Sequence, residues 1–242
     1  RVNIPVVAKI ERPEAVNNIE SIMESADVIM VARGDMGVEL GNHLVPGIQK
    51  NLINLCNAHN TPVITATQML ESMITNSVPT RAEASDVANA VWDGTDAVML
   101  SGETASGDYP VEAVATMDRI IIEAEKVPKE RPLLRNIDLT SVSDSTMAAA
   151  SLIAEKTNAK WILSITQSGN SLKKLSRFRP NVRILGVANS ITAVRRLCLY
   201  WGITPFYFKE DEEDLSTIEE QMIEILKEKK LVENGDKIVI TH

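Results

Sequence analysis

A chain of 242 residues with 44% apolar content can bury one large core or two modest ones, and its charge of −8, from 33 acidic against 25 basic residues, works against long-range attraction of nucleic acid. No apolar run reaches the roughly 18–20 residues of a membrane helix, and no charged-then-apolar leader is visible, so a cytoplasmic protein with neither nucleic-acid nor membrane partners is expected. Cys56 and Cys198 are far apart and lack CxxC or Cys/His spacing, which points away from a disulfide framework or a zinc site.

The first apolar run, VVAKIE at 6–11, begins within a few residues of Arg1, and we expect the chain to be part of a longer one. Three more runs end abruptly in polar clusters: VIMVARGD at 28–35, PVITATQM at 62–69 and AVMLSGET at 97–104. Helical periodicity follows each of the four, at Glu14–Glu24, Pro46–His59, Thr80–Trp92 and Pro110–Lys126. Strand and helix alternating at this spacing make right-handed βαβ units, in either a closed barrel or an open sheet. The absence of GxGxxG and GxxxxGK[ST] loops weighs against the usual nucleotide-binding open sheets.

Periodicity lapses in VPKERPLLRNIDLTSVS, so residues 1–127 form one expected domain, 128–143 a linker and 144–242 a second domain. The second domain opens on the helical DSTMAAASLIAEKT. Strands follow at 161–166, 183–189, 206–208 and 237–241, with helices near 171–178, 190–200 and 214–230, which predicts a small α/β domain with a mainly parallel sheet. The acidic run Asp211–Asp214 reads as a solvated helix start.

Lys9 and Glu11 stand two apart on a strand, so both side chains leave by the same face while Ala8 and Ile10 take the other. The pair suits a metal-binding carboxylate beside an ammonium that stabilises developing negative charge, or a simple rim salt bridge. After the second strand, Arg33, Gly34 and Asp35 offer a turn whose free N–H groups could face a carboxylate or phosphate, with Asp35 a second oxygen ligand for a hard divalent ion. Thr67 and Ser101 place hydroxyls at the next two strand ends, with Glu103 beyond. Such groups serve a proton relay or anion contact, or cap the following helix.

Taken together, AKIERPEAV, DVIMVARGDMGVEL, PVITATQMLESM and PTRAEASDVANAVWDGTDAVMLSGETASGDYPVEAV resemble the pyruvate kinase family across residues 6–126. SITQSGNS, RPNVRILGVAN and RRLCLYWGITP resemble the C-terminal domain of the same family. The resemblance implies the second half of a (β/α)8 barrel, strands five to eight, followed by a regulatory α/β domain. It implies transfer of the phosphoryl group of phosphoenolpyruvate to ADP, giving pyruvate and ATP, with Mg²⁺ or Mn²⁺ and K⁺ as cofactors.

In such a site Glu11 and Asp35 hold the divalent ion, and the N–H groups of Gly34 and Asp35, with Arg33 and Thr67, bind substrate. Lys9 stabilises the transferring group and the enolate, while Thr67, Ser101 and Glu103 deliver the proton. Further implications are a sugar-phosphate effector held by Thr166, Ser168, Gly169 and Ser171, subunit contacts near Arg81 and Glu83, and a homo-oligomer, tetrameric in the parent enzyme. Thr80 and Glu83 equally read as a capping pair at a helix start. The family's earlier barrel strands carry the potassium ligands and most of the ADP site, so this chain alone is expected to be inactive. A Mg²⁺-dependent barrel lyase or aldolase acting on pyruvate, and a non-catalytic scaffold, are the alternative readings.

Overall fold

The computed structural model describes residues 4–127, 139, 141–166, 168–208 and 215–242. Most of the expected linker, Gln167 of the TQSGNS motif and the Asp211–Asp214 run lie outside them. The chain divides into two compact units, Arg1–Pro132 and Leu133–His242, with the division inside the expected linker.

In the first unit, β1 (Val7–Ile10), β2 (Val28–Ala32), β3 (Val63–Ala66) and β4 (Ala97–Met99) form a parallel sheet in the order β1-β2-β3-β4. Ile10 pairs with Val31, Ala32 with Ala66, and Ala66 with Met99, so all four strands end along one edge of the sheet. Ala8, Ile10, Ile29, Val31 and Val63 face the helices and join one apolar cluster. By the two-residue period, Lys9 is on the opposite face.

The helices are α1 (Pro13–Asn17), α2 (Ile19–Met23), α3 (Arg33–Leu40), α4 (Val45–His59), α5 (Arg81–Asp93), α6 (Gly102–Ala105) and α7 (Pro110–Glu125), with a 3₁₀ turn at Glu71–Ile74. Helix α4 buries Gln49, Leu52, Ile53, Cys56 and Asn57, the stripe that spacings of three and four produce. Helix α5 starts at a complete capping box between Thr80 and Glu83 and stops at Gly94, whose φ of 97° suits a residue without Cβ.

Two expectations are corrected here. The helix expected over 14–24 breaks at Asn18, whose φ of −112° and ψ of 23° are non-helical and whose side-chain amide donates to the Glu14 carbonyl at 2.8 Å, a local bond that competes with the helix. The Arg33–Gly34–Asp35 turn is the first turn of α3 and not an open loop. Glycine disfavours helix, but tertiary bonds to the Arg33 side chain and the Gly34 N–H override that preference.

The second unit contains α8 (Val142–Thr157), β5 (Trp161–Thr166), α9 (Asn170–Arg177), β6 (Arg183–Ala188), α10 (Ile191–Leu197), β7 (Ile203–Tyr207), α11 (Leu215–Glu228) and β8 (Ile238–Thr241). The strands are parallel in the order β7-β6-β5-β8. Ile162 and Ile184 pack into a cluster with Met147 and Ala154 of α8 and Leu172 and Leu175 of α9. Trp161, Leu163, Leu185 and Val187 pack on Ile218, Met222 and Leu226 of α11. A parallel sheet covered on both faces results, as its nearly uninterrupted apolar strands require.

Helix α8 starts at Val142, two residues earlier than expected, because Ser141 Oγ caps the Asp144 N–H at 3.1 Å. Strand β7 starts at Ile203 and α10 ends at Leu197, so the expected strand at 206–208 was too short and the helix at 190–200 too long.

Candidate active site

Lys9 projects from the end of β1, Glu11 directly follows it, and Asp35 lies in the first turn of α3 after β2. The Lys9 Nζ is 2.5 Å from Glu11 Oε2 and 2.6 Å from Asp35 Oδ2, so two carboxylates from neighbouring strand tips converge on one ammonium. The Asp35 hydrogen bond, then that of Glu11, raises the Lys9 pKa above its ordinary value. The same bond from Lys9 lowers that of Asp35. All three side chains remain open to solvent by a third or more, and a ligand can reach them.

The donor set fits a divalent cation. Glu11 Oε2 is shielded from water, and its one close neighbour is the Lys9 ammonium, which leaves its remaining lone pair unused. Among the described residues no cluster of three or more His, Cys, Asp and Glu side chains offers a closed metal site. Two hard carboxylate oxygens with the remaining positions open are the pattern for Mg²⁺ completed by substrate and water.

Thr67 follows β3 directly and occupies the left-handed region at φ 70°, as does Gln68 at φ 54°. A β-branched residue there is an outlier, costing roughly 1–3 kcal/mol that the surroundings must offset. Thr67 Oγ1 accepts the Gly34 N–H at 2.8 Å and donates to the Ala66 carbonyl at 2.6 Å. The hydroxyl thus supplies the first turn of α3 with an acceptor that the helix itself cannot provide.

Arg33 is 8% exposed and all three of its guanidinium nitrogens donate hydrogen bonds. Nε and Nη2 donate to the carbonyls of Ala66 and Thr67, while Nη1 reaches Gln49 and Asp86. Its side chain therefore ties the end of β3 to α4 and α5. Asp86 and Gln49 escaped the sequence reading, since nothing local marks a helix-surface Asp or Gln as the partner of a distant arginine.

Ser101 precedes α6 without capping it, so its hydroxyl remains available at the end of β4. Glu103 is 2% exposed and accepts the Leu70 N–H at 3.1 Å and the Ser101 N–H at 2.7 Å. Its carboxylate locks the loops after β3 and β4 together.

Arg81 is exposed at the start of α5. The Glu83 carboxylate takes bonds from Ser72 and Thr80. Burial pushes the Glu83 pKa up, but these bonds outweigh it and hold it below the ordinary value. In the second unit, Thr166 Oγ1 accepts the Gly169 N–H at 3.1 Å and Ser168 Oγ the Asn170 N–H at 3.4 Å. Gly169 is left-handed at φ 84°, and Ser171 lies in the first turn of α9. These four residues lie between the end of β5 and the first turn of α9.

Parallel strands ending together, with a carboxylate–ammonium cluster at their carboxyl ends, define an α/β protein with an enzyme-type site in its first unit. The family description "Pyruvate kinase, barrel domain" matches residues 1–114, and "Pyruvate kinase, alpha/beta domain" matches residues 144–242. Pyruvate kinase 2 of Synechocystis is 45% identical over 99% of this chain and 40% of its own length. The pyruvate kinase of Sporosarcina psychrophila is 44% identical, over 99% of this chain and 41% of its own length. The crystal structure of a pyruvate kinase from Cryptosporidium parvum superposes with a TM-score of 0.95 at 38% identity, over 99% of this chain and 49% of that one. The chain belongs to the pyruvate kinase family, and it spans less than half the length of these relatives.

Proposed function

We propose that the chain carries the metal and substrate half of a pyruvate kinase, which moves the phosphoryl group of phosphoenolpyruvate to ADP and yields pyruvate and ATP. The observation that carries this reading is the convergence of Glu11 and Asp35 on Lys9 at the strand tips. Phosphoryl transfer demands positioning and positive charge around in-line oxygens more than covalent chemistry, and these residues provide both.

Glu11 and Asp35 would hold Mg²⁺ or Mn²⁺, which would supply charge neutralisation at the substrate oxygens. Lys9 then turns its ammonium to the transferring phosphoryl group and to the enolate left when the C–O–P bridge breaks at phosphorus. The substrate carboxylate takes the Asp35 N–H and displaces the Gly34–Thr67 bond, so that the Gly34 N–H and the Thr67 hydroxyl turn to it as well, and Arg33 fixes the strand end they stand on. Thr67 and Ser101 guide a proton to the enolate methylene carbon, with Glu103 keeping both loops in register, and this completes pyruvate.

The sequential order β1-β2-β3-β4 supports reading the first unit as half of a (β/α)8 barrel, with 1–127 as barrel, 128–143 as linker and 144–242 as regulatory domain. The turn Thr166–Ser171 stands at the carboxyl end of β5, flanked by β6 and β8, where open α/β sheets take ligands, which supports a sugar-phosphate effector there. Exposed Arg81 contributes to a homo-oligomer contact. A cytoplasmic location goes with this reading as a glycolytic enzyme; among the described residues no helix is long and apolar enough to cross a membrane.

A coupled assay of the full-length protein for pyruvate from phosphoenolpyruvate and ADP tests the reading. ADP-independent retro-aldol cleavage would reject it. For the chain itself, calorimetry with Mg²⁺ and oxalate, an enolpyruvate mimic, is expected to show heat that Glu11→Ala or Asp35→Ala removes.

A further inference from the structure

We propose that Asp86 is a positioning residue for this site, acting through Arg33 on the strained backbone of Thr67. The inference rests on the phosphoryl-transfer reading above and adds to it a residue on α5 that does not itself face substrate. Both oxygens of the Asp86 carboxylate are 2.7 Å from Arg33 Nη1. With Nη1 held there, the rigid guanidinium fork presents Nε and Nη2 to the carbonyls of Ala66 and Thr67, the last at 2.6 Å. Gln49 Oε1 supports the same Nη1 at 3.4 Å.

These bonds grip the point where the backbone enters two successive left-handed residues. Such a conformation persists only while its surroundings over-determine it. Arg33 is also a buried cation, and removing its carboxylate leaves an uncompensated charge. It has somewhere to go. An open cavity of about 550 Å³, lined by Arg33, Gln49, Gln68, Asp86 and Asn89, lies beside it. Without Asp86 the guanidinium turns into this water-accessible space and releases the two carbonyls, and the Thr67 hydroxyl shifts from the Gly34 N–H. Lys9, Glu11 and Asp35 are held by a separate set of bonds. The defect therefore falls on proton delivery more than on metal binding.

The test uses the full-length protein with Asp86→Asn, Asp86→Glu, Thr67→Val and the double variant Asp86→Asn/Thr67→Val. Protonation of the enolate is read in reverse, as exchange of the pyruvate methyl hydrogens with deuterium oxide followed by NMR in the presence of Mg²⁺ and K⁺. Asp86→Asn is expected to slow exchange by about tenfold or more, since a displacement near 1 Å at a reacting group can cost a hundredfold. The affinity for Mg²⁺ alone should move far less, since Lys9, Glu11 and Asp35 keep their own bonds, and Asp86→Glu should recover part of the rate.

Because Asp86 acts through Thr67, Asp86→Asn should add less than about a twofold loss in the Thr67→Val background, a non-additivity that a general loss of stability does not produce. Wild-type exchange in Asp86→Asn, or losses that multiply, would overturn the proposal. If the wild-type protein makes no pyruvate, the functional reading fails and the crystal structure of Asp86→Asn decides this one. Thr67 leaving the left-handed region upholds it; retention of that conformation and of the Gly34 contact overturns it.

Discussion

The Gly34 N–H donates to Thr67 Oγ1 at 2.8 Å, and a Cβ built on Gly34 would stand 3.5 Å from the same oxygen. That spacing is ordinary van der Waals contact, so Gly34→Ala is expected to fold with unchanged or slightly higher stability. The added methyl instead crowds the side from which a substrate carboxylate reaches the N–H groups. Affinity for Mg²⁺–oxalate should fall on the order of tenfold, about the worth of one hydrogen bond. Calorimetry and thermal denaturation on the same sample separate the two effects, and a loss of stability with unchanged affinity would contradict this assignment.

Glu103 predicts the opposite behaviour. Its carboxylate satisfies the N–H groups of Leu70 and Ser101, and leaving a buried donor without an acceptor costs about 1–3 kcal/mol each. Glu103→Ala should therefore destabilise the first unit by on the order of 2–4 kcal/mol in urea unfolding. A variant that unfolds like wild type would show that the carboxylate does not hold these loops.

At the start of α8, Ser141 Oγ donates to Asp144 at 2.5 Å and Lys174 of α9 lies 3.1 Å from the same carboxylate. The Ser141 hydrogen bond, then the Lys174 ammonium, outweighs partial burial and lowers the Asp144 pKa. A carboxyl with a lowered folded pKa stabilises fully above its ordinary value of 3.8, and that contribution disappears as pH falls through the lowered value. Asp144→Asn should be less stable than wild type at pH 7, with the gap closing below the ordinary carboxylate range. Denaturation followed by tryptophan fluorescence at both pH values checks it; a gap independent of pH would refute it.

The two thiols should differ in reactivity. Burial, reinforced by the Asp96 charge, pushes the Cys56 thiol up to about 12, whereas Cys198 is exposed. A thiol reagent at neutral pH is expected to label only Cys198 in the folded chain and both cysteines after unfolding. Rapid double labelling without denaturant would show that the core around Cys56 opens readily.

The sequence revealed those parts of the site that depend on short-range rules. The two-residue period of a strand places Lys9 beside Glu11, and abrupt strand ends mark Asp35 and Thr67. The Arg33–Asp86 pair joins residues 53 apart, and no local pattern says whether an arginine after a strand turns inward or outward. The start of α3 was misread because glycine argues against helix until the Thr67 hydroxyl is known to face it. For α8 the signal was present and missed, since Ser141 and Asp144 have the spacing of a capping pair. Register and strand order in the second sheet had no sequence signature.

That strand order bears on how the protein is made. Strand β5 lies between β6 and β8, and Trp161 pairs with Ile238. A nascent chain emerging from the ribosome can assemble β5, β6 and β7 in succession, yet one flank of β5 stays bare until the stretch around Ile238 has been translated. Throughout that interval the growing polypeptide exposes an unprotected strand with a strongly apolar sequence, the condition under which chains snare one another. Chaperone dependence during synthesis should accordingly be governed by how soon β8 arrives.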